Sequence, residues 1–260
     1  NMKDKIIVVT GSTSGIGLGI ASKFAKNGAK LVINGLASDS EVKKLSSELK
    51  LLGAAEVLFD SADLSKPVEI DRMFKNIIQK YQRVDVLVNN AGIQFVSPIE
   101  NFPPEKWEMI IRIDLIAAFY TIKNVIPIMK QQKWGRVINI ASAHALVASP
   151  FKSAYVDAKH GLIGLTKSVA LEVAQDGITV NSICPGYVKT PLVVNQIADT
   201  AKARSMSEED VIKNVILGVQ ATKKFVEIEE IADFVYFLSS ESASSITGSA
   251  LSIDGGWTAQ

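Results

Sequence analysis

Apolar and polar positions alternate along this chain at two different spacings. Short β-branched runs alternate with longer segments in which apolar residues recur at helical spacing, a pattern typical of a parallel sheet with helices on both faces. The predicted strands end in Gly, Asn, Asp or Ser and lie at 5–11, 30–35, 54–63, 84–92, 135–142, 178–186 and 249–256. Helices are predicted at about 15–26, 39–52, 67–81, 104–132, 153–176 and 228–239. The fold class is therefore α/β, with a doubly wound sheet of seven parallel strands.

One segment departs from this alternation. Residues 189–220 are long and polar between the sixth strand and the last helix, and we expect a loop with helices of its own that acts as a substrate lid. The chain has 260 residues, and its 47% apolar content is sufficient for one hydrophobic core. A single domain over residues 2–260 is the expectation.

Charge and cysteine content argue against several classes of partner. Lys and Arg total 28 against 27 for Asp and Glu, with no basic block that would bind nucleic acid. The single Cys184 cannot form an internal disulfide, and the chain opens on a strand-like run rather than a signal segment, so a reducing cytoplasm is expected. No apolar run approaches the roughly 20 residues that span a bilayer, and neither a membrane nor a metal is expected.

A glycine-rich turn joins the first predicted strand to the first helix. Residues 10–17 read TGSTSGIG, so backbone amides and the positive end of the helix dipole would face a phosphate group. A glycine motif alone can be a tight turn, but the strand before it and the helix after it favour the pyrophosphate cradle of a dinucleotide, with Gly17 allowing close helix packing. The candidate cofactor contacts in this turn are Gly11, Thr13, Ser14, Gly15, Ile16 and Gly17.

The end of the second strand bears on which dinucleotide binds. Residues 34–38 read NGLAS, without the Arg or Lys that a 2′-phosphate needs, so NAD is favoured over NADP. The acidic residue often found there is also absent, so selection against NADP would rest on the missing positive charge and on the bulk of Leu36. Asp63, followed by Leu64, ends the third strand and is either an adenine contact or the N-cap of the next helix.

The candidate chemistry lies in the fifth strand and the helix after it. Tyr155 and Lys159 are four residues apart, which places phenol and ammonium on one helix face beside Ser142 at a strand end. A free phenol titrates at about 10, and Lys159 together with the cationic NAD ring would lower the pKa of Tyr155 toward neutrality. Ser142 would hold the substrate oxygen while Tyr155 exchanges the proton. Alone, a Tyr and a Lys at this spacing are more often a surface pair.

Five motifs, in order and at matching spacing, resemble the short-chain dehydrogenase/reductase family: TGSTSGIG, NNAG at 89–92, the serine, YVDAK at 155–159 and PGYVKT at 185–190. The resemblance covers essentially the whole chain and implies a Rossmann-like seven-stranded sheet, usually in a homotetramer. It also implies that residues 89–92 stabilise the central strands and border the cofactor, and that Tyr155 and Lys159 reach the cofactor or substrate. By the same resemblance, further cofactor contacts are Asn90, Ala91, Gly92, Pro185, Gly186, Val188 and Thr190.

One position departs from the family pattern. The family usually has an Asn in the long helix before the serine strand, where it holds a water that links the Lys to solvent, and this chain has Asp114. An ionised Asp accepts hydrogen bonds without donating, and its charge would stabilise the Lys159 cation while offsetting that cation's effect on Tyr155. The hypothesis is that the water relay is retained and that the dependence of kcat on pH is altered. The alternative is that Asp114 sits elsewhere on the helix.

Substrate identity must come from residues outside this shared machinery. Gln94 follows NNAG, Lys152 precedes the catalytic helix and Gln196 lies in the expected lid. With His144 they offer several donors and one fixed positive charge, which suits a small carboxylate, while two aromatic residues would add apolar walls. Each alone has a plainer interpretation as a solvated lysine, a turn histidine or a surface amide. The candidate substrate contacts are Gln94, Ser142, His144, Lys152, Tyr155, Tyr187, Gln196 and Trp257.

A finer resemblance is to bacterial members of the family that oxidise 3-hydroxybutyrate, and it is carried by INGL, NNAGIQ, NIASAHALVAS, Lys152, PLVVNQI and DGGWTAQ. It implies NAD-dependent oxidation of (R)-3-hydroxybutyrate to acetoacetate, with the lid closing so that Gln196 completes a carboxylate pocket. Tyr187 stands where a Trp is common in these relatives. The alternatives are a 3-oxoacyl carrier-protein reductase, which would want NADPH and a basic docking patch, another short-chain hydroxy-acid or alcohol dehydrogenase and, more remotely, a non-enzymatic nucleotide-binding scaffold.

Overall fold

Seven parallel strands form one sheet in the computed structural model, which describes residues 2–259. The first strand and most of the fourth are continuous runs of Ile, Val and Leu because helices cover both of their faces. In chain order the strands are β1 (Ile6–Val9), β2 (Lys30–Asn34), β3 (Glu56–Asp60), β4 (Val86–Asn89), β5 (Gly135–Ile140), β6 (Ile178–Pro185) and β7 (Ala250–Ile253). The predicted fold class and strands are thereby confirmed, whereas Gln260, the last residue of the expected domain, lies outside the described residues.

Helices connect the strands and lie on both sides of the sheet. In chain order they are α1 (Gly15–Ala25), α2 (Asp39–Leu51), α3 (Pro67–Tyr81), α4 (Pro104–Ile111), α5 (Ala117–Gln132), α6 (Ser153–Val173), α7 (Pro191–Val194), α8 (Ile197–Arg204), α9 (Glu208–Asp210), α10 (Leu217–Val219) and α11 (Ile228–Leu238). Helices α1, α2 and α11 share a core with Ile7 and Val9, and α3, α5 and α6 share another with Ile6 and Val8. Neighbouring residues of β1 face opposite cores because a strand repeats every two residues. Within the described range, no helix is both long enough and apolar enough to cross a bilayer.

The strand order is β3-β2-β1-β4-β5-β6-β7, so it reverses between β1 and β4. Such a reversal opens a crevice at the carboxyl ends of the strands, where sheets of this kind bind ligands. Asn34 ties the floor of this crevice together at the end of β2. Its Nδ2 donates to the carbonyl oxygens of Asp60 and Ala62 at 3.0 and 3.1 Å, and its Oδ1 accepts from the Gly11 amide at 3.3 Å.

A row of buried polar side chains crosses the central strands. Thr121 Oγ1 donates to Asn89 Oδ1 at 2.6 Å, and Asn89 Nδ2 donates to Asn139 Oδ1 at 2.9 Å. Asn139 Nδ2 donates to Thr166 Oγ1 at 2.9 Å, and Thr166 Oγ1 bonds Ser182 Oγ at 2.6 Å. Each member satisfies its neighbour away from water, which joins α5 and α6 to β4, β5 and β6.

The predicted helix at 104–132 is confirmed, but it contains one wider turn. Helix α4 ends at Ile111, a π-helical turn covers Arg112–Ile116, and α5 begins at Ala117. The wider turn places Asp114 in the interior, where it is 2% exposed, and such turns are frequent at functional sites.

The polar segment at 189–220 has helices of its own, as predicted. It contains α7 to α10 and a second π-helical turn at Val211–Ile216. Its apolar residues form a separate small core with Tyr187 and Trp257, apart from the two cores that flank the sheet. The segment therefore packs against side chains near the carboxyl ends of β6 and β7, and lid motion stays a prediction.

Candidate active site

The glycine-rich turn between β1 and α1 brings backbone close to backbone. Gly11 has φ +60°, and a Cβ there would overlap the Cα of Ala91. A Cβ at Gly17 would overlap the Gly11 carbonyl oxygen and the side-chain amide of Asn90. That amide donates to the carbonyl oxygens of Thr10 and Gly11 at 3.2 and 2.9 Å. Gly11 and Gly17 thus let the turn pack directly against the residues that follow β4.

A cleft of about 400 Å³ runs from this turn along the carboxyl ends of the strands. Every candidate cofactor contact except Gly17 lines it: Gly11, Thr13, Ser14, Gly15, Ile16, Leu36, Asp63, Leu64, Asn90, Ala91, Gly92, Tyr155, Lys159, Pro185, Gly186, Val188 and Thr190. Ile93, Ile113 and Ile140, which no motif singles out, also line it. The cleft is long enough to join the glycine turn to the catalytic helix, as a dinucleotide site requires.

The end of β2 carries no positive charge. Leu36 is 82% exposed at the rim of the cleft, and Gly35 is backed by Thr13. Among the described residues that line the cleft, Lys159 is the only Lys or Arg, and it belongs to α6. A phosphate held beside the end of β2 would therefore find no cation in the cleft wall.

Asp63 lines the same cleft and closes a local turn. Its Oδ1 accepts from the Ser65 amide at 2.9 Å and from the Ser65 hydroxyl at 2.7 Å, and its Oδ2 lies 3.3 Å from Lys66 Nζ. The hydrogen bond from the Ser65 hydroxyl is the largest of the influences that lower the pKa of Asp63. Helix α3 begins at Pro67 with Lys66 in the cap position, so the alternative that Asp63 is the helix N-cap is wrong. The adenine contact stays a prediction.

Ser142, Tyr155 and Lys159 meet at the end of the cleft. Ser142 follows β5, while Tyr155 and Lys159 lie one turn apart on α6. Lys159 Nζ lies 5.3 Å from the centroid of the Tyr155 ring and donates to the Ile140 carbonyl at 3.1 Å. The plainer interpretation of a surface pair is wrong, because Lys159 is only 3% exposed.

The ionisation of Tyr155 reflects opposing influences. Burial raises the pKa of Tyr155 above its usual value, and this is the largest influence on it. The charge of Lys159 and a hydrogen bond with Ser142 lower that pKa, whereas the charge of Asp114 raises it. Lys159 and Asp114 thus act in the expected senses, while the effect of burial is one that the spacing of the residues does not reveal. The net lowering expected from Lys159 together with the cationic nicotinamide ring stays a prediction.

Asp114 lies beside Lys159, so the alternative that it sits elsewhere on the helix is wrong. Its Oδ2 is 3.7 Å from Lys159 Nζ, and its Oδ1 accepts from the Ile93 amide at 2.8 Å. Burial raises the pKa of Asp114 to about 6, against the opposing effects of Lys159 and the Ile93 amide. Oδ2 has no hydrogen-bond partner among the described residues, and it adjoins a cavity of about 10 Å³ that Asn89 and Thr121 also line. That space is close to the size of one water.

A second cavity, of about 40 Å³, adjoins Ser142 and Tyr155. Every candidate substrate contact lines it, together with Gly186, Leu192 and Val193: Gln94, Ser142, His144, Lys152, Tyr155, Tyr187, Gln196 and Trp257. Lys152 is 4% exposed, so its interpretation as a solvated lysine is wrong. Gln196 donates from Nε2 to the Leu192 carbonyl at 3.1 Å, and its Oε1 is buried without a hydrogen-bond partner among the described residues.

His144 lies on a short 3₁₀ helix immediately after Ser142. Its Nε2 is 2.8 Å from Ser149 Oγ, and its Nδ1 is 3.4 Å from Ser142 Oγ. Burial, followed by the charge of Lys152, lowers the pKa of His144 well below its usual value. The imidazole is therefore neutral at physiological pH. Its ring meets Trp257 edge to face, with centroids 4.9 Å apart.

Tyr187 and Trp257 form the aromatic wall of this cavity. Their rings stack with centroids 5.2 Å apart and planes 7° apart. The wall has a polar edge that the sequence does not predict, because the Tyr187 hydroxyl accepts from Lys152 Nζ at 3.0 Å. The Tyr187 amide donates to Gln220 Oε1 at 2.5 Å. Gln220 belongs to no motif, and Ser149 beside His144 is not among the candidate contacts, so only the folded structure reveals either contact.

The chain matches one family model along most of its length. The model is described as enoyl-(acyl carrier protein) reductase, and it matches residues 11–258. The match includes most of the glycine turn, the candidate catalytic residues and the aromatic wall.

Individual proteins resemble the chain from end to end. D-beta-hydroxybutyrate dehydrogenase of Rhizobium meliloti (strain 1021) is 54% identical over 256 residues, which cover 98% of this chain and 99% of that protein. The protein of the same name from Cupriavidus necator is 46% identical over 260 residues, with both chains fully covered. A solved variant of actinorhodin polyketide ketoreductase with NADPH has a TM-score of 0.92 and 30% identity, covering 99% of this chain and 98% of that chain.

Proposed function

Because this chain belongs to the short-chain dehydrogenase/reductase family, we propose that it oxidises (R)-3-hydroxybutyrate reversibly to acetoacetate with NAD. The enzyme is an oxidoreductase that uses a nicotinamide dinucleotide. One observation carries the choice of substrate. A buried lysine without a carboxylate partner among the described residues lines the same small cavity as Tyr155.

The residues of the long cleft fit a dinucleotide. At Gly11 the turn packs so closely on Ala91 that a Cβ would overlap it, and the start of α1 offers free amides to a pyrophosphate. The absence of a cation beside Leu36 in the described cleft wall supports NAD over NADP, since a 2′-phosphate needs a positive partner. Val188 and Thr190 also line the cleft and would contact the nicotinamide.

Three side chains carry the proposed chemistry. A bound nicotinamide would supply the hydride acceptor for the carbinol carbon. Tyr155 takes the hydroxyl proton, and Ser142 donates a hydrogen bond that holds the same oxygen. Lys159 lowers the pKa of Tyr155 against the effect of burial, and its own position is fixed by the Ile140 carbonyl.

Asp114 would hold one end of a proton path away from the substrate. Its unpartnered Oδ2 faces Lys159 and a space for one water. We propose that a water there connects the Lys159 ammonium to Asp114. The carboxylate, with its raised pKa, would then exchange protons near neutral pH.

The substrate's carboxylate would lie against Lys152 at the other end of the small cavity. Neutral His144 and the amides of Gln94 and Gln196 supply further polar contacts without adding charge. A cavity of about 40 Å³ favours a short chain. Segment 189–220 would close as a lid that brings Gln196 onto the substrate.

We also propose the domain extent, the oligomeric state and the location of the protein. We propose one domain over residues 2–260, a homotetramer, and a cytoplasmic location consistent with the free buried thiol of Cys184. Phe119 on α5 and Leu171 on α6 are 45% and 83% exposed, which supplies apolar surface for contacts between copies. Sedimentation velocity measures the mass directly, and a purely monomeric species would overturn the tetramer.

The decisive experiment is the initial rate of NADH formation with (R)-3-hydroxybutyrate. The (S) enantiomer, NADP in place of NAD, and Lys152→Ala are run beside it. We expect turnover of the (R) form with NAD, and a large rise in KM in the variant. No rate on either enantiomer would overturn the substrate. A rate with acetoacetyl thioester and NADPH would then favour the carrier-protein reductase. If no redox rate were found with any of these substrates, the non-enzymatic scaffold would be favoured.

A further inference from the structure

Lys152 is a buried cation with a single neutral partner. Its Nζ donates to Tyr187 Oη at 3.0 Å, and no carboxylate lies within ion-pair distance of it among the described residues. An ammonium taken out of water without a counter-charge is unfavourable, so the site is suited to an anion that enters the cavity.

The hydrogens around this contact can be assigned from the chemistry of the two groups. A lysine ammonium only donates, so the oxygen of Tyr187 must accept in the contact with Lys152. The phenol hydrogen therefore points elsewhere, and it has no acceptor among the described residues. Both side chains line the small cavity, so this hydrogen is available to a ligand there.

The position of the Tyr187 hydroxyl is fixed from two sides. Its ring stacks on Trp257 with planes 7° apart, and its backbone amide donates to Gln220 Oε1 at 2.5 Å. Gln220 is itself fully buried and donates from Nε2 to the Lys224 carbonyl at 2.6 Å. The phenol is thus preorganised, and little rotational freedom remains to be lost on binding.

On the basis of the proposed function, we propose that the Tyr187 hydroxyl and the Lys152 ammonium form a two-donor subsite for a short carboxylate. The phenol donates to one carboxylate oxygen, while its own oxygen holds the ammonium in place. Tyr187 is then a substrate-binding and specificity-determining residue rather than an apolar wall. A Phe or Trp at this position would supply the stacking surface but neither the hydrogen bond nor the hold on Lys152.

Tyr187→Phe removes the hydroxyl and retains the ring on Trp257. We expect the KM for (R)-3-hydroxybutyrate to rise about tenfold with kcat within about twofold, because a hydrogen bond to a charged group is lost. The uncharged (R)-2-butanol should keep its kcat/KM. The matched control is Tyr236→Phe, which removes a hydroxyl bonded to Asn27 Oδ1 at 3.1 Å, outside the residues that line either cavity. The control variant should have unchanged kcat/KM for both substrates.

A binding measurement separates this proposal from the reaction itself. Acetate is titrated calorimetrically into the wild-type enzyme and both variants, and its Kd should rise about tenfold in Tyr187→Phe alone. If the wild-type enzyme does not oxidise (R)-3-hydroxybutyrate, the proposed function fails, but this tenfold change would still support the subsite. The subsite would be overturned if acetate did not bind the wild-type enzyme, or if its Kd were unchanged in Tyr187→Phe. It would also be overturned if Tyr187→Phe lowered kcat/KM equally for (R)-3-hydroxybutyrate and (R)-2-butanol.

Discussion

The cofactor cleft and the substrate cavity meet at Tyr155, yet they are built differently. The cleft of about 400 Å³ is shaped largely by backbone at strand ends and by a glycine turn. The cavity of about 40 Å³ is shaped by side chains drawn from positions 94 to 257. Backbone shape depends on the fold, whereas side chains can be exchanged with the fold intact. Specificity for the substrate can therefore change while the cofactor half stays constant.

The largest expected effect comes from Tyr155, which lines both regions. Tyr155→Phe removes the proton acceptor and keeps the ring, so kcat should fall about a thousandfold, within the range of general acid–base catalysis. Stopped-flow or long-incubation NADH assays measure the residual rate. The Kd for NADH, followed by its fluorescence, should stay within about threefold, which would separate loss of chemistry from loss of the site. A kcat loss below about tenfold would contradict the role of Tyr155.

The next effect tests the backbone origin of the cleft. Gly11→Ala should raise the KM for NAD at least tenfold and lower stability by about 1–3 kcal/mol, since its Cβ would overlap Ala91 at φ +60°. Gly248→Ala is the matched control. It also has positive φ, at +70°, but its nearest neighbour is the Ala170 Cβ at 3.5 Å. The control should lose stability and keep its KM for NAD, and equal KM changes would argue against the cradle.

A smaller effect tests the missing charge at the end of β2. Leu36→Arg should raise the ratio of kcat/KM for NADP to that for NAD about tenfold, because a guanidinium can pair with a 2′-phosphate. Leu51→Arg adds the same charge at an exposed position outside the cleft lining and should leave the ratio unchanged. If both variants shift the ratio equally, net charge rather than position is responsible.

The smallest expected effect is on pH dependence. Burial raises the pKa of Asp114 to about 6, so the folded state favours the protonated carboxyl more than the unfolded state does. The stability this contributes is full at acidic pH and is lost as pH rises through about 6. In Asp114→Asn this loss is absent, so its Tm relative to the wild type should increase between about pH 4 and pH 7.

The same substitution should also remove an inflection near pH 6 from the kcat profile, if the carboxylate exchanges protons with the relay. Scanning calorimetry and NADH assays in a common set of buffers measure both quantities. Lys159 and Tyr155 are the titratable groups that face Asp114, and both remain in the variant. Parallel curves of Tm against pH and superimposable profiles of kcat against pH would mean that the charge of Asp114 affects neither stability nor turnover.

The sequence predicts the residues of the cofactor cleft well, because this cleft is formed by elements that follow one another closely in the chain. A strand, a glycine turn and a helix follow one another within residues 6–25, and each constrains the next. The parallel sheet and the helices on both of its faces follow from the alternation of strands and helices. For the same reason, every predicted cofactor contact except Gly17 lines the cleft.

The features that sequence misses depend on burial and on distant partners. No Pro or Gly marks the π-helical turn at Arg112–Ile116, and the burial of Asp114 within that turn is visible only in the fold. The effect of burial on the pKa of Tyr155 likewise depends on the fold. Gln220 holds Tyr187 from 33 residues away without belonging to any motif.

The stack of Tyr187 on Trp257 also has a consequence for biosynthesis. A chain made from its amino end completes the glycine turn early, and β1 to β5 can pair before β7 exists. The small cavity lacks one wall until residue 257 has left the ribosome. A nascent chain can therefore acquire its nucleotide-binding surface well before it can discriminate among substrates.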